Sequence, residues 1–102
     1  MGKMINVIAL FPNSMTEEEL DEFYQMTITG FKSAEGLVSL KTSAGPLMSP
    51  GEKPDYAKVV TAEFESLEIF MAWAQSPERG ADSQKMKGSG MVRLFYEVAD
   101  AQ

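Results

Sequence analysis

The sequence predicts an α+β chain built around a four-stranded antiparallel sheet with its helices on one face. Three observations lead there. The apolar pattern changes period along the chain in the order strand, helix, strand, strand, helix, strand. Each helical stretch opens on a hydroxyl cap, at Thr16, Ser66 and Ser76. The two halves follow one another as two β-α-β units, an order that an antiparallel sheet with one helical layer accommodates.

The elements can be justified in turn. Met4 to Phe11 is almost wholly apolar, rich in β-branched residues and closed by Pro12-Asn13, which favours a buried strand. Thr16 and Glu19 form a capping box, so a helix begins at Glu17. Five of the six residues 17–22 are acidic; a cation site is one reading, and stabilisation by the positive end of the helix dipole is the simpler one. Leu20, Phe23, Tyr24, Thr27, Ile28 and Phe31 repeat with helical spacing, and Gly30 interrupts that stripe, where it is expected to fray or kink the helix end. Gly36 marks the exit, and Leu37, Val38, Leu40 and Thr42 read as a second strand.

Residues 45–55 hold Gly45, Pro46, Pro50, Gly51 and Pro54 and read as a long connection. Tyr56 to Phe64 alternates as a third strand, with Tyr56, Lys58, Val60, Ala62 and Phe64 on one face. Ser66 caps a helix with Leu67, Phe70, Met71 and Ala74 inward and Ile69 and Trp73 widening the stripe. Ser76-Pro77-Glu78 then restarts the helix, which runs to about Lys87. Gly88-Ser89-Gly90 turns the chain into a last strand, Met91 to Val98, with Val92, Leu94, Tyr96 and Val98 on its better-buried face. This is the ferredoxin-like βαββαβ arrangement. It leaves one sheet face open, and a chain with Met4, Ile8, Leu10, Val60, Phe64, Leu94 and Tyr96 has too much apolar surface for its size. A homodimer through the sheet faces is therefore expected, with two-fold symmetry as the default.

Composition narrows the function classes. With 102 residues, 44% hydrophobic and 24% charged, the chain reads as one globular domain over residues 1–102. It has no cysteine, which excludes disulfides, thiolate metal sites and cysteine nucleophiles. It has no histidine, which removes the commonest zinc and iron ligands and every Ser-His triad. No metal and no cofactor is expected. The net charge is -6, shared evenly between the halves, which disfavours nucleic acid. Asp55 to Val60 lacks the basic-aromatic signature of an RNA-recognition strand. Gly88-Ser89-Gly90 leads into a strand, so it is no phosphate loop. No apolar run is long enough to span a membrane. The start, Met1 to Asn6, is too short before Pro12 for a signal peptide and lacks the hydroxyl a myristoylation pattern wants at position 6. A cytoplasmic location is the resulting expectation.

Two stretches resemble a known family. Met4-Ile5-Asn6-Val7-Ile8-Ala9-Leu10-Phe11-Pro12-Asn13 resembles the opening strand of EthD-like proteins. Ala62-Glu63-Phe64-Glu65-Ser66-Leu67-Glu68-Ile69-Phe70, continuing to Trp73 and Ser76-Pro77-Glu78, resembles a stretch shared by EthD-like proteins and antibiotic-biosynthesis monooxygenases. Both groups belong to the dimeric α/β-barrel superfamily, in which two ferredoxin-like sheets pair into a barrel. The resemblance implies a pocket between helices and sheet that takes hydrophobic or aromatic small molecules. Some relatives oxidise polycyclic phenols without metal or flavin. Others open haem with an Asn on the first strand, a Trp on the second helix and a later His. Trp73 matches that Trp and Asn6 that Asn, but the His position falls near Asp82-Ser83 and the chain has none, which excludes haem ligation of that kind. Many EthD-like proteins also carry His four residues after a helix tyrosine, whereas Tyr24 is followed by Gln25, Met26, Thr27 and Ile28.

Asn6, Tyr24 and Trp73 are the candidate catalytic residues. Asn6 lies in an apolar strand, where an unpaired amide costs about 1–3 kcal/mol. It either donates to a substrate carbonyl or phenolate, or bonds to backbone or water. Tyr24 either points a phenol into the pocket or sits at the edge of the core. Trp73 either lines the pocket or packs the core or dimer, and its N–H wants a partner in each case. Phe31, Phe64, Phe70 and Met71 are core residues that in a hollow core also form the substrate-binding wall. Arg93, between Val92 and Leu94, faces away from them and either pairs with Glu63 or Glu97 or grips a substrate carboxylate. Arg79 is expected in solvent.

Two function classes follow. One is a cofactor-independent oxygenase or isomerase acting on an activated aromatic or carbonyl compound. The other is a non-catalytic dimer that binds a hydrophobic ligand or serves another enzyme. A pocket faced by both Asn6 and Trp73 favours a binder or enzyme; a filled core favours a structural role.

Overall fold

A computed structural model describes residues 3–101. The elements are β1 (Ile5–Pro12), α1 (Glu17–Lys32), β2 (Leu37–Thr42), β3 (Tyr56–Phe64), α2 (Leu67–Ala74), α3 (Pro77–Met86) and β4 (Val92–Glu97). The sheet order is β2-β3-β1-β4 with every neighbouring pair antiparallel, the ferredoxin-like arrangement expected from the element order.

Alternation in β1 decides the two sides of the sheet. Ile5, Val7, Ala9 and Phe11 point to the helices and are buried; Asn6, Ile8, Leu10 and Pro12 point to the other side. Cross-strand partners share a face, so Phe64, Ala62, Val60 and Lys58 of β3 lie on the helix side with them. The core is the layer between these residues and Phe23, Phe31, Phe70 and Met86 of the helices.

The caps hold where the sequence puts them. Thr16 Oγ1 accepts the Glu19 N–H and Glu19 Oε1 accepts the Thr16 N–H, both at 3.1 Å. Ser66 and Ser76 accept the N–H groups of Ile69 and Arg79, and Pro77 fills the first position of α3. Among the described residues, the acids of the first turn of α1 form no metal cluster. Glu22 instead pairs with Lys85 at 2.9 Å and ties α1 to α3. Gly30 does not fray α1, which continues to Lys32.

Two departures have physical causes. Leu37 and Leu40 have opposite parity, yet they pair with Phe64 and Ala62, which share the helix side. A bulge at Val38 reconciles them and leaves Val38 outward, 52% exposed. The second departure concerns β4. Leu94, Tyr96 and Val98 are 53%, 50% and 37% exposed, so they are not its better-buried residues in the single chain. Leu94 and Tyr96 pair with Ile8 and Asn6 and face the open side, over which the described chain lays no helix. Val60 and Phe64, grouped with them on apolarity alone, belong to the helix side. Among the described residues, no helix is long and apolar enough to cross a membrane.

Gly36 joins α1 to β2 at φ +80°, and its carbonyl accepts the Glu65 N–H at 3.1 Å. A methyl there would stand 2.5 Å from Ile69 Cγ2 of α2. Backbone strain and the clash act together. Gly36→Ala is expected to lower unfolding stability by about 1–3 kcal/mol, read by urea denaturation; an unchanged midpoint would show that the turn relaxes freely.

Candidate functional site

A cavity of about 220 Å³ opens between the sheet and the helices. Its sheet side is Val7 and Ala9 of β1. Its helix side is Thr27 and Phe31 of α1 with Phe70, Trp73 and Ala74 of α2, and Met86 closes one wall. Small side chains at Ala9, Thr27 and Ala74 leave the space; the phenyl rings around them cannot fill it. The rim is polar, with Arg79, Asp82 and Ser83 from α3 and Arg93 from β4.

Trp73 organises the apolar wall. Its indole N–H donates to the Gly30 carbonyl at 3.2 Å. Its ring stacks on Phe31 with centroids 5.0 Å apart and planes 20° apart, and meets Phe64 and Phe70 at 5.3 and 6.1 Å. Phe70 in turn contacts Phe95 of β4 at 4.8 Å. Phe95 lies on the helix side opposite Val7, yet stays half exposed because β4 is the sheet edge.

The restart at Ser76-Pro77 brings the first turn of α3 back over Trp73. The Arg79 guanidinium lies 5.4 Å from the indole centroid and pairs with Asp82 at 2.7 Å. It is not in solvent, as its charge suggested; its side chain is only 16% exposed. The guanidinium also occupies the place where a Cβ on Gly30 would stand, with Nη1 in contact with that position. This accounts for a glycine inside the apolar stripe of α1. Arg93 pairs with neither Glu63 nor Glu97. Its Nη1 donates to Ser83 Oγ at 3.2 Å, while Glu63 accepts from the Ser39 hydroxyl at 2.7 Å.

The three candidate catalytic residues do not converge. Trp73 lines the cavity. Asn6 is on the open side of the sheet, where its Nδ2 donates to the Tyr96 hydroxyl at 2.6 Å. Tyr24 lies outside the cavity wall, edge-on to Phe11 at 6.2 Å with the Lys58 ammonium 4.1 Å above its ring. Of the expected binding wall, Phe31 and Phe70 line the cavity, Phe64 is fully buried behind them, and Met71 packs against the core elsewhere. The residues sequence reasoning missed are Arg79, Asp82, Ser83, Met86 and Phe95. Gly30 within the stripe was the available signal for Arg79, and alternation along β4 put Phe95 with Arg93. A second, wider concavity flanks Trp73 and is edged by Glu35, Glu65 and Glu78; among the described residues these carboxylates form no metal-binding group.

No protein-family model matches the chain, and no curated protein matches it by sequence. Solved structures do match. An EthD-family protein from Bacillus halodurans is 20% identical, covers 94% of this chain and 99% of its own, and superposes with a TM-score of 0.74. Hydroxynitrile lyase from Passiflora edulis is 13% identical over 100% of this chain and 99% of its own, at 0.78. A mutant of SnoaB, a cofactor-independent oxygenase from Streptomyces nogalater, is 13% identical over 98% and 97%, at 0.72. Two further ferredoxin-like proteins of this shape, from Thermobifida fusca and Bacteroides fragilis, are dimeric. The chain has the ferredoxin-like fold of these proteins. The resemblance to EthD-like proteins read from the two sequence stretches is borne out at the level of fold.

Gly30→Ala tests the packing of Arg79. The methyl adds helix propensity worth up to about 1 kcal/mol and displaces a cation–π contact worth about 0.5–1 kcal/mol. Stability should therefore stay within about 1 kcal/mol of the parent, while Trp73 emission shifts as the guanidinium leaves the ring. An unchanged emission spectrum would contradict the close approach.

Proposed function

We propose that the chain is a homodimer joined through the open sheet faces, and that each subunit takes up a hydrophobic or aromatic small molecule in the cavity beneath its helices. The observation that carries the binding role is the wall of the cavity. Phe31 and Trp73 are stacked on one another and continue into Phe70, giving an aromatic wall behind a polar rim. An aromatic ring would pack against the exposed edges of that wall. The dimer rests on Ile8, Leu10, Leu94 and Tyr96, an apolar strip on the open side. Each of these side chains is already partly covered, so its burial contributes less than the about 1.5–3 kcal/mol of a fully exposed one, and the dimeric proteins of this shape support the pairing.

The likeness to SnoaB favours a second reading, cofactor-independent oxygenation of a substrate that ionises readily. The electrons would come from the substrate. Dioxygen uptake with a bound phenol or enol would support this reading, and binding without uptake would leave the protein a carrier.

Two measurements test the proposal. The chain has one Trp, so emission reports on Trp73 alone. The probe 4-nitrobenzyl alcohol, a neutral quencher, should quench it saturably, with calorimetry giving the same affinity. Calorimetric saturation without quenching would place the site elsewhere. For the dimer, Leu94→Lys should yield monomers in sedimentation experiments while leaving the circular dichroism intact. A monomeric parent protein would overturn the sheet-face pairing.

A further inference from the structure

The polar groups of the cavity gather at one end, and their charges do not cancel. Arg79 and Arg93 stand at the rim against the single carboxylate of Asp82. Asp82 is bound to Arg79 at 2.7 Å. Among the described residues the salt bridges are this one and Lys85–Glu22, so Arg93 has no carboxylate partner. One of its N–H groups goes to the neutral Ser83 hydroxyl at 3.2 Å, which fixes the side chain without neutralising it. A guanidinium carries five N–H donors, so four remain for another acceptor. Arg93 sits opposite Ala9 on the helix side of the sheet, and both residues line the cavity. A fixed positive charge here departs from the rest of the chain, whose net charge is -6.

We infer that the ligand is an aromatic carboxylic acid: its ring lies in the cavity against the wall of Phe31, Phe70 and Trp73, and its carboxylate takes the free fork of Arg93. This inference rests on the proposed binding role of the cavity. The fork geometry of a guanidinium matches a carboxylate through two parallel hydrogen bonds. Arg93 itself is exposed, so solvent screens the pair and its contribution is modest, on the scale of a rim contact. Size agrees as well: a dry cavity of about 150 Å³ holds a benzene, and this one, at about 220 Å³, has room for a substituted ring. Arg79 is a wall of the site, held by Asp82 and Trp73, and Arg93 is the anchor.

The experiment compares 4-nitrobenzoate with 4-nitrobenzyl alcohol, two rings of similar shape that differ in charge, by calorimetry and by quenching of Trp73. The full chain should bind the acid about ten-fold more tightly than the alcohol, and added salt should shrink the difference. Arg93→Gln should abolish the preference by weakening the acid far more than the alcohol, and Arg93→Lys should restore part of it, since the charge returns without the fork. Equal affinities in the parent protein, or a preference that survives Arg93→Gln, would overturn the assignment while the binding role stands. Binding of neither probe would overturn both. The parent comparison needs no variant, so a misfolded Arg93→Gln would not shield the inference.

Discussion

Trp73 docks on the backbone of Gly30, and much of the molecule is arranged around that contact. The hydrogen bond ties α2 to α1 across the helical layer. The acceptor is a main-chain carbonyl, which any residue offers; what glycine adds is the absence of a side chain beside it. The same absence of a side chain admits the Arg79 guanidinium, which covers the indole from α3. Three helices thus converge on one residue of α1. The Phe31 ring stacked on Trp73 then becomes both the end of the core and the wall of the cavity. Packing and site are one structure here. A substitution that fills the Gly30 position acts on the rim of the cavity as much as on the helix.

The sheet imposes the second constraint. Four strands have two faces, and the chain supplies helices for one. The helix side is buried to within a few per cent along β1, with Ile5 and Phe11 fully enclosed. The other side keeps Leu94 and Tyr96 half exposed beside Ile8 and Leu10. The apolar strip and its polar margin of Glu63, Lys41 and Ser39 are what the proposed sheet-face dimer would bury. Asn6 belongs to this surface. Its bond to the Tyr96 hydroxyl joins β1 to β4 on the open side, using one amide N–H and leaving the amide oxygen and the phenol O–H for other partners.

The fold was legible because it is written in periods and caps. Thr16, Ser66 and Ser76 each cap a helix as read, and the alternation of β3 assigns its two faces correctly. The site was legible only in part, for three physical reasons. Strand parity gives relative faces but does not say which face meets the helices, so Asn6 could be assigned to either side. A bulge shifts parity by one, and nothing in Leu37-Val38-Ser39 announces it. Finally, a charged residue in the first turn of a helix reads as solvated, and only tertiary structure shows that Arg79 is covered by Trp73, Asp82 and Gly30 at once. Phe31, Phe70 and Trp73 were readable as wall residues because an aromatic stripe must face the layer that holds the cavity.

The shared fold constrains the place of the chemistry more than its kind. A hydroxynitrile lyase and a cofactor-independent oxygenase have this same shape, so the architecture supplies a cavity and leaves the reaction to the side chains at its rim. In this chain those side chains are two guanidinium groups, a carboxylate already bound to one of them, and a hydroxyl bound to the other. Each is committed to holding charge in place. Ser83 has no histidine to activate it, since the chain has none. Such a rim presents fixed charges and hydrogen-bond donors, which suits the proposed recognition of an anionic ligand.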